Sequence, residues 1–289
     1  MRQGTLSIIF AHLNYNNTLV FLRTNLTTMS VSLKFPQTLP HMKQMYEQYT
    51  SEDFTVWKLL YERQMTQLPL LASEAFLSGL KKVNFVADRI PNFEETNLLL
   101  RDLTGWETYV VPGLIPNREF FELLLNKKFP ATTWLRKMSQ LDYLEEPDMF
   151  HDVFGHIPLL SDTDFCNFLK GFSEIALKYI ENEWAIELIS RLYWYTVEFG
   201  LIQENGQLKI YGAGILSSKG ESSYCVGDIP KRVPYNIREI VATPYIKDRY
   251  QSKYFVITSY KELYESLDEI RQVIDEAVNS PVVASSTKR

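Results

Sequence analysis

Two of the four histidines in this chain of 289 residues, His151 and His156, lie in one short stretch, EEPDMFHDVFGHIPLL. The residues around them are mostly large and apolar: Phe150, Phe154, Ile157, Leu159 and Leu160. Such a segment is expected to lie in the protein core, where a polar ring without a partner costs free energy. The fold must therefore provide a partner for each imidazole, and a shared metal ion would serve both.

The spacing of the two histidines limits how they can meet. They are five positions apart, which corresponds to about 140° around a regular α-helix. The sequence predicts a helix from Pro147 to Phe154, with the acidic Asp148 in its first turn and Gly155 as its C-terminal stop. A break at Gly155 would let His156 turn back toward His151. The HExxH zinc motif, whose histidines share one uninterrupted helical face, is disfavoured.

A third candidate ligand, Glu198, lies in an equally apolar segment, RLYWYTVEFGL. A buried carboxylate is costly unless it is paired or bound to a cation. Two histidines and one carboxylate form the facial arrangement of non-heme Fe(II) sites, and zinc with a bound water is also chemically possible. Ordinary alternatives stay open at this point: an exposed His151, a hydrogen-bonded His156 at a helix end, and a salt bridge between Glu198 and Arg191.

Composition narrows the classes of function. The formal net charge is -5, so the chain lacks the basic excess on which binding to nucleic-acid phosphates depends. No apolar stretch approaches the length that spans a bilayer. The two cysteines, Cys166 and Cys225, are far apart, which predicts neither a disulfide framework nor a cysteine zinc cluster. We expect two reduced thiols in a cytoplasmic protein.

The hydrophobic periodicity predicts a mainly α fold of the α+β type, with a single helix-rich catalytic domain and short β-strands. The domain is expected over residues 34–279, between a poorly ordered N-terminal extension (1–33) and a flexible tail (280–289). Helices are predicted at TSEDFTVWKLLYERQM, capped by Thr50 or Ser51, at residues 73–80, at NREFFELLLNKKF, stopped by Pro130, and at SYKELYESLDEIRQVIDEAV, with a capping box of Ser259 and Glu262. Strands are predicted at residues 208–211 and 253–258.

Three motifs, EEPDMFHDVFGHIPLLSD, RLYWYTVEFGL and IYGAGILSSKGE, resemble in order and spacing those of the tetrahydropterin-dependent aromatic amino acid hydroxylases. The similarity extends over roughly residues 45–275 and includes TGWETYVVPGLIPNREFFELL. The LDYLEEPD run is typical of bacterial phenylalanine hydroxylases within that family. The resemblance implies the family's catalytic fold, Fe(2+) held by His151, His156 and Glu198, and tetrahydrobiopterin or a related tetrahydropterin as the second cofactor.

The resemblance also implies roles for further residues. Residues expected at the pterin are Gly113, Ile115, Phe120, Asp152 and Tyr193. Residues expected at the substrate are Arg136, Pro147, Trp194 and Ser217, and Glu221 is expected as a supporting acid behind them. Arg136 would bind the substrate carboxylate, since a guanidinium pairs with a carboxylate in a bidentate, charge-assisted way.

The activity implied by the resemblance is phenylalanine 4-monooxygenation, which converts L-phenylalanine to L-tyrosine with O2. Alternatives are hydroxylation of tryptophan or tyrosine, a zinc-dependent hydrolase on the same triad, and a binding protein without turnover. We expect a monomer in the cytoplasm that binds neither nucleic acid nor a membrane.

Overall fold

The structure, a computed structural model, describes residues 42–142, 146–247 and 249–279. The predicted extension (1–33) and tail (280–289) lie outside these residues and stay predictions. Within the described part, the buried apolar side chains form one continuous cluster. No helix in that part of the chain combines the length and the apolar character needed to cross a membrane.

Helices make up most of the described chain. The α-helices are α1 (Ser51–Met65), α2 (Leu68–Leu71), α3 (Glu74–Lys82), α4 (Phe93–Leu103), α5 (Asn117–Leu125), α6 (Thr163–Lys178), α7 (Glu183–Tyr193), α8 (Ala213–Leu216), α9 (Lys219–Cys225), α10 (Ile237–Ala242), α11 (Tyr260–Glu265) and α12 (Leu267–Asn279). Short 3-10 turns occur at Tyr46–Gln48, Met138–Gln140 and Ile157–Ser161, and two π-helices occur at Phe150–His156 and Trp194–Glu198.

The strands are short and form two small sheets. They are β1 (Glu107–Val110), β2 (Lys128–Ala131), β3 (Leu201–Glu204), β4 (Gln207–Ile210), β5 (Lys231–Pro234) and β6 (Lys253–Ile257). β1 and β2 pair in parallel, and the four-stranded sheet has the order β4-β3-β6-β5. β3 and β4 form a hairpin whose turn residues, Asn205 and Gly206, both have positive φ, as a tight hairpin requires. The predicted fold class, mainly α with small short-stranded sheets, is confirmed.

The structure confirms several predicted helices and strands. Thr50 caps α1 and forms a capping box with Asp53. Ser73 caps α3 by accepting a hydrogen bond from the backbone N–H of Phe76. The predicted strands at 208–211 and 253–258 correspond to β4 and β6, with ends that differ by one residue.

The prediction that one helix runs through NREFFELLLNKKF to Pro130 is wrong. α5 ends at Leu125, because Lys127 takes a left-handed conformation with φ of 57°, and the following residues form β2. Pro130 is tolerated in that strand because the sheet has only two strands, so its missing N–H can face away from the partner.

The predicted C-terminal helix is also divided. Ser266 separates α11 from α12, and its hydroxyl donates to the carbonyl of Leu263 and contacts the hydroxyl of Tyr235 at 2.9 Å. A side chain that binds the local backbone in this way competes with helix continuation. Ser259 caps α11 as predicted, but the Glu262 carboxylate accepts from the N–H of Thr258 rather than closing the box on Ser259.

Candidate active site

The two π-helices build the centre of the site. In a π-helix each backbone hydrogen bond spans five residues, so side chains five positions apart lie nearly above one another. The helix Phe150–His156 therefore brings His151 and His156 to the same side, with 3.3 Å between their Nε2 atoms. The predicted break at Gly155 is wrong, since the chain stays helical through Gly155 and widens its turn instead.

Gly155 has a packing role in place of the predicted break. A Cβ atom at this position would lie 3.0 Å from the carbonyl oxygen of Ala213 and 3.1 Å from its Cβ. The missing side chain therefore lets α8 approach the first π-helix closely. The predicted helix start at Pro147 also differs: Asp148 lies before the π-helix, and its carboxylate accepts from the backbone N–H of His151 at 3.2 Å.

The structure brings the three predicted ligands together. His156 Nε2 lies 3.3 Å from Glu198 Oε1, and His151 Nε2 lies 3.6 Å from Glu198 Oε2. One possible ligand atom from each residue lies within 4.8 Å of the others. Glu198 is 0% exposed, and each histidine is 2% exposed. The second π-helix, Trp194–Glu198, ends at the carboxylate that completes this group.

The surroundings of the Glu198 carboxylate indicate whether this site suits a bound cation. Burial raises the pKa of Glu198 to about 7, although the neighbouring His151 and the backbone N–H of Gly214 oppose the rise. Within residues 42–142, 146–247 and 249–279, neither carboxylate oxygen has a hydrogen bond of ordinary geometry. A buried carboxylate without partners is costly, and a divalent cation would remove that cost. Two imidazole nitrogens and a carboxylate are the donor set of facial Fe(II) sites, so these residues fit iron.

Ser217 sets the tautomer of His151. The Ser217 hydroxyl donates to the carbonyl of Ala213 at 2.8 Å, so it accepts the hydrogen bond from Nδ1–H of His151 at 2.9 Å. This arrangement leaves Nε2 with a lone pair directed at Glu198 and His156. Burial lowers the pKa of His151 to about 4 and that of His156 to about 3, so both rings are neutral at pH 7, as metal ligands must be.

Arg136 is held next to this centre by a buried aspartate. Its Nε and Nη2 atoms donate to the two carboxylate oxygens of Asp148 at 2.9 and 2.8 Å. Burial acts to raise the pKa of Asp148, but hydrogen bonds and the charge of Arg136 hold it below the usual value. Because Asp148 also binds the N–H of His151, Arg136 and the candidate ligand His151 are linked through one side chain. The sequence predicted Arg136 but not this role of Asp148.

A cavity beside the triad collects most of the predicted pterin residues. Its lining includes Gly113, Ile115, Phe120 and Asp152, together with Pro130, Thr132 and Pro147. The backbone N–H and the hydroxyl of Thr132 each donate to Asp152 Oδ2 at 2.8 Å, and burial raises the pKa of Asp152 to about 7. The fifth predicted residue, Tyr193, is fully buried and packs edge-on against Phe120, with 5.6 Å between ring centroids.

An aromatic surface lies at Trp194, the first residue of the second π-helix. Its indole is fully buried and stacks on Tyr245, with 4.5 Å between centroids and 25° between planes. Phe199 contacts the same indole at 4.8 Å. The sequence predicted Trp194 but not Tyr245, which comes from a distant segment without a recognisable periodicity.

Glu221, the residue expected as a supporting acid, is also buried. Its Oε1 accepts from the backbone N–H of Gln251 at 3.2 Å and from the hydroxyl of Tyr254. Burial raises the pKa of Glu221 to about 7. These bonds connect α9 with β6 and with the segment that precedes β6.

The fold and this site define a class of protein. A family described as biopterin-dependent aromatic amino acid hydroxylase matches residues 12–281, which is most of the chain. The chain therefore belongs to the biopterin-dependent aromatic amino acid hydroxylases, and the resemblance seen in the motifs is confirmed.

Similar proteins include the phenylalanine-4-hydroxylase of Chromobacterium violaceum, which is 46% identical over 230 residues covering 79% of this chain and 76% of the relative. That of Mesorhizobium japonicum is 44% identical over 220 residues, covering 75% of this chain and 79% of the relative. A crystal structure of the Chromobacterium violaceum phenylalanine hydroxylase with bound oxidised Fe(III) has a TM-score of 0.79 at 44% identity, over 83% of this chain and 88% of that one. Another holds iron(III) and oxidised 7,8-dihydrobiopterin, with a TM-score of 0.78 at the same identity and coverage.

Proposed function

We propose that the protein is a phenylalanine 4-monooxygenase, which converts L-phenylalanine to L-tyrosine with O2 and a tetrahydropterin at an Fe(II) held by His151, His156 and Glu198. The observation that carries the proposal is the convergence of three buried ligand atoms at a carboxylate that accepts no hydrogen bond of ordinary geometry from the described residues. The names of the similar hydroxylases support phenylalanine as the substrate.

Iron and the reduced pterin, when bound, supply the activation of O2. The chain's own part is to place the ligands and exclude water. Ser217 fixes the ring of His151, and Phe129 packs on His156 with 4.7 Å between centroids. Because the ligands are buried among aromatic side chains, the reacting groups would meet in a dry, pre-organised space, which favours the productive geometry.

The cavity beside the triad suits a flat heterocycle. Phe120 offers a ring face or edge, and Gly113 leaves space, since nothing lies within 4 Å of a Cβ built there. Asp152 offers a carboxyl group whose position Thr132 fixes. We assign this cavity to the pterin, with Tyr193 supporting Phe120 from behind.

Arg136 and the aromatic surface suit the two ends of an aromatic amino acid. A guanidinium has five N–H donors, and two of them bind the Asp148 carboxylate, so donors remain for an α-carboxylate. Trp194 would contact the substrate ring, as would Pro147, which also lines the cavity assigned to the pterin. Ser217 would support this pocket through His151, and Glu221 through Gln251. Tryptophan or tyrosine as the preferred substrate is the alternative that the same arrangement leaves open.

A product assay tests the proposal. The purified protein with Fe(II), tetrahydropterin and O2 is offered phenylalanine, tyrosine or tryptophan, and products are separated by chromatography. We expect tyrosine from phenylalanine as the fastest reaction, lost in His151→Ala and kept in Tyr235→Phe, which removes a partly buried hydroxyl that contacts Ser266. Absence of tyrosine, or activity with zinc that persists without O2, would contradict the proposal.

We also propose that the enzyme is a monomer in the cytoplasm that binds neither nucleic acid nor a membrane. Its net charge of -5 and its two buried, unpaired cysteines, Cys166 and Cys225, support this. Light scattering after size-exclusion chromatography tests the monomer: a mass near 33.8 kDa is expected, and a multiple of it would contradict the proposal.

A further inference from the structure

Two sets of hydrogen bonds anchor the residues on either side of Tyr245. On the N-terminal side, the hydroxyl of Tyr195 donates to the carbonyl of Pro244 at 3.0 Å, which ties this segment to the second π-helix. Tyr245 then lies with its ring stacked on Trp194. The backbone position of this segment therefore determines where the Tyr245 ring lies relative to Trp194.

The second anchor is built from Gln251 and Glu221. The side chain of Gln251 binds the backbone of Ile246 at both groups: Nε2 donates to the carbonyl at 2.6 Å, and Oε1 accepts from the N–H at 3.4 Å. The N–H of Gln251 in turn donates to Glu221. Since Gln251 and Glu221 are each 2% exposed, water does not compete for these bonds.

α9 holds the same segment by packing as well. The hydroxyl of Tyr250 lies so close to Gly220 that a Cβ atom there would be 2.0 Å from it, and the Tyr250 ring contacts that of Tyr224 at 5.0 Å. Packing of this kind would suffice for stability alone, because a buried charged group is often no more stabilising than apolar residues of similar volume. The buried carboxylate of Glu221 therefore calls for a positional explanation.

We propose that Glu221 is a positioning residue for the aromatic substrate: through Gln251 and Ile246 it holds the ring of Tyr245 against Trp194. The inference rests on the proposed function, because it assumes that these two rings face the substrate. Without the anchor, Tyr245 would be ordered only when substrate binds, and the ordering would weaken binding. The pterin cavity lies on other elements, so its affinity should not change.

Steady-state kinetics of the iron-loaded enzyme test this, together with anaerobic calorimetric titration of phenylalanine. Glu221→Leu removes the acceptor, and loss of one to two buried hydrogen bonds should raise both KM and Kd for phenylalanine about tenfold. Tyr254→Phe removes one donor and should raise them about threefold. Glu221→Gln keeps an acceptor oxygen and should stay within about twofold of wild type, as should KM for the pterin in every variant. Tyr235→Phe is the control for loss of a hydrogen-bonded tyrosine hydroxyl, here a partly buried one that contacts Ser266, and no change is expected.

A double-mutant cycle tests whether Glu221 affects phenylalanine binding through the ring of Tyr245. In a Tyr245→Ala background, the effect of Glu221→Leu on phenylalanine affinity should largely disappear, since the ring it positions is absent. An equal effect in both backgrounds, or an equal rise in KM for the pterin, would overturn the inference. If Glu221→Leu does not fold, Tyr254→Phe carries the same cycle on the same criteria. A wild-type enzyme that makes no tyrosine would instead refute the proposed function.

Discussion

Glu198 and Glu221 are both buried glutamates, but they differ in the hydrogen bonds that their carboxylates accept. Burial raises the pKa of each to about 7. Glu221 accepts hydrogen bonds from Gln251 and Tyr254, whereas Glu198 accepts none of ordinary geometry within the described residues and faces two neutral imidazoles. The comparison shows that burial alone does not identify a ligand. The missing donors support the proposal that Glu198 binds a cation, and the donors present support the positioning role that we propose for Glu221.

The largest expected difference between the two glutamates is in iron binding. Glu198→Gln should lower tyrosine formation by at least roughly 100-fold, because removal of a ligand should exceed the loss seen for residues that only support ligands. Glu221→Gln should keep iron at wild-type stoichiometry. Elemental analysis of both proteins after equal loading, alongside the product assay, measures the contrast. Equal iron loss in both variants would show that Glu198 has no greater role than Glu221 in binding iron.

The pH dependence of the free energy of unfolding should show whether folding favours the protonated form of Glu221. Its pKa is raised from 4.5 in the unfolded chain to about 7 in the fold, so folding favours the protonated form. The stabilisation is therefore complete below pH 4.5 and is lost as pH rises through 7. Relative to Glu221→Gln, the wild-type free energy of unfolding should fall by up to about 3 kcal/mol over this range.

Urea denaturation of chelator-treated protein between pH 4.5 and 8 measures this difference. Ser222→Ala removes a neighbouring buried hydroxyl that does not ionise, and its difference from wild type should not depend on pH. A pH-independent difference for Glu221→Gln as well would contradict the raised pKa.

Iron should stabilise the fold when Glu198 completes the three-ligand site, and Glu221 should not be needed for this effect. At free Fe(II) about 100-fold above its dissociation constant, ligand linkage adds about 3 kcal/mol to the free energy of unfolding. Thermal unfolding under anaerobic conditions should show this gain for wild type and for Glu221→Gln. The gain should be absent in Glu198→Gln, and a similar rise in that variant would place the iron elsewhere.

The smallest of these effects is expected for the residue that orients a ligand. Ser217→Ala removes the acceptor for Nδ1–H of His151 and should weaken iron binding about tenfold. Competition with a chelator of known affinity measures the change, and Ser266→Ala, which removes a hydroxyl between α11 and α12, is the control. Unchanged affinity would show that packing alone orients His151.

The sequence predicted the three candidate metal ligands because each is a polar residue in an apolar window, and the cost of burying a polar group can be inferred without a fold. It also predicted helices with strong caps, such as α1 and α3. It did not predict the π-helix at His151, because hydrophobic periodicity is compared with a 3.6-residue turn and a wider turn depends on tertiary packing.

Other features depend on partners that are distant in sequence. Asp148 acquires its role from Arg136, and Thr132 acquires its role from Asp152, which follows it by 20 positions. Tyr245 is defined by its contact with Trp194. Strands β1, β2, β3 and β5 have only four residues each, which is too short for an alternating pattern to stand out.

The π-helical turn at His151 makes the metal centre sensitive to the condition of the core. An isolated chain prefers the α-helix, in which His151 and His156 would point about 140° apart. Packing holds the wide turn: its own rings of Phe150 and Phe154 stack 4.6 Å apart, and α8 approaches closely at Gly155. A destabilised variant should therefore release iron at a lower temperature than that at which the whole domain unfolds. Metal retention would thus be an early indicator of damage in a core that still shows its full helical content.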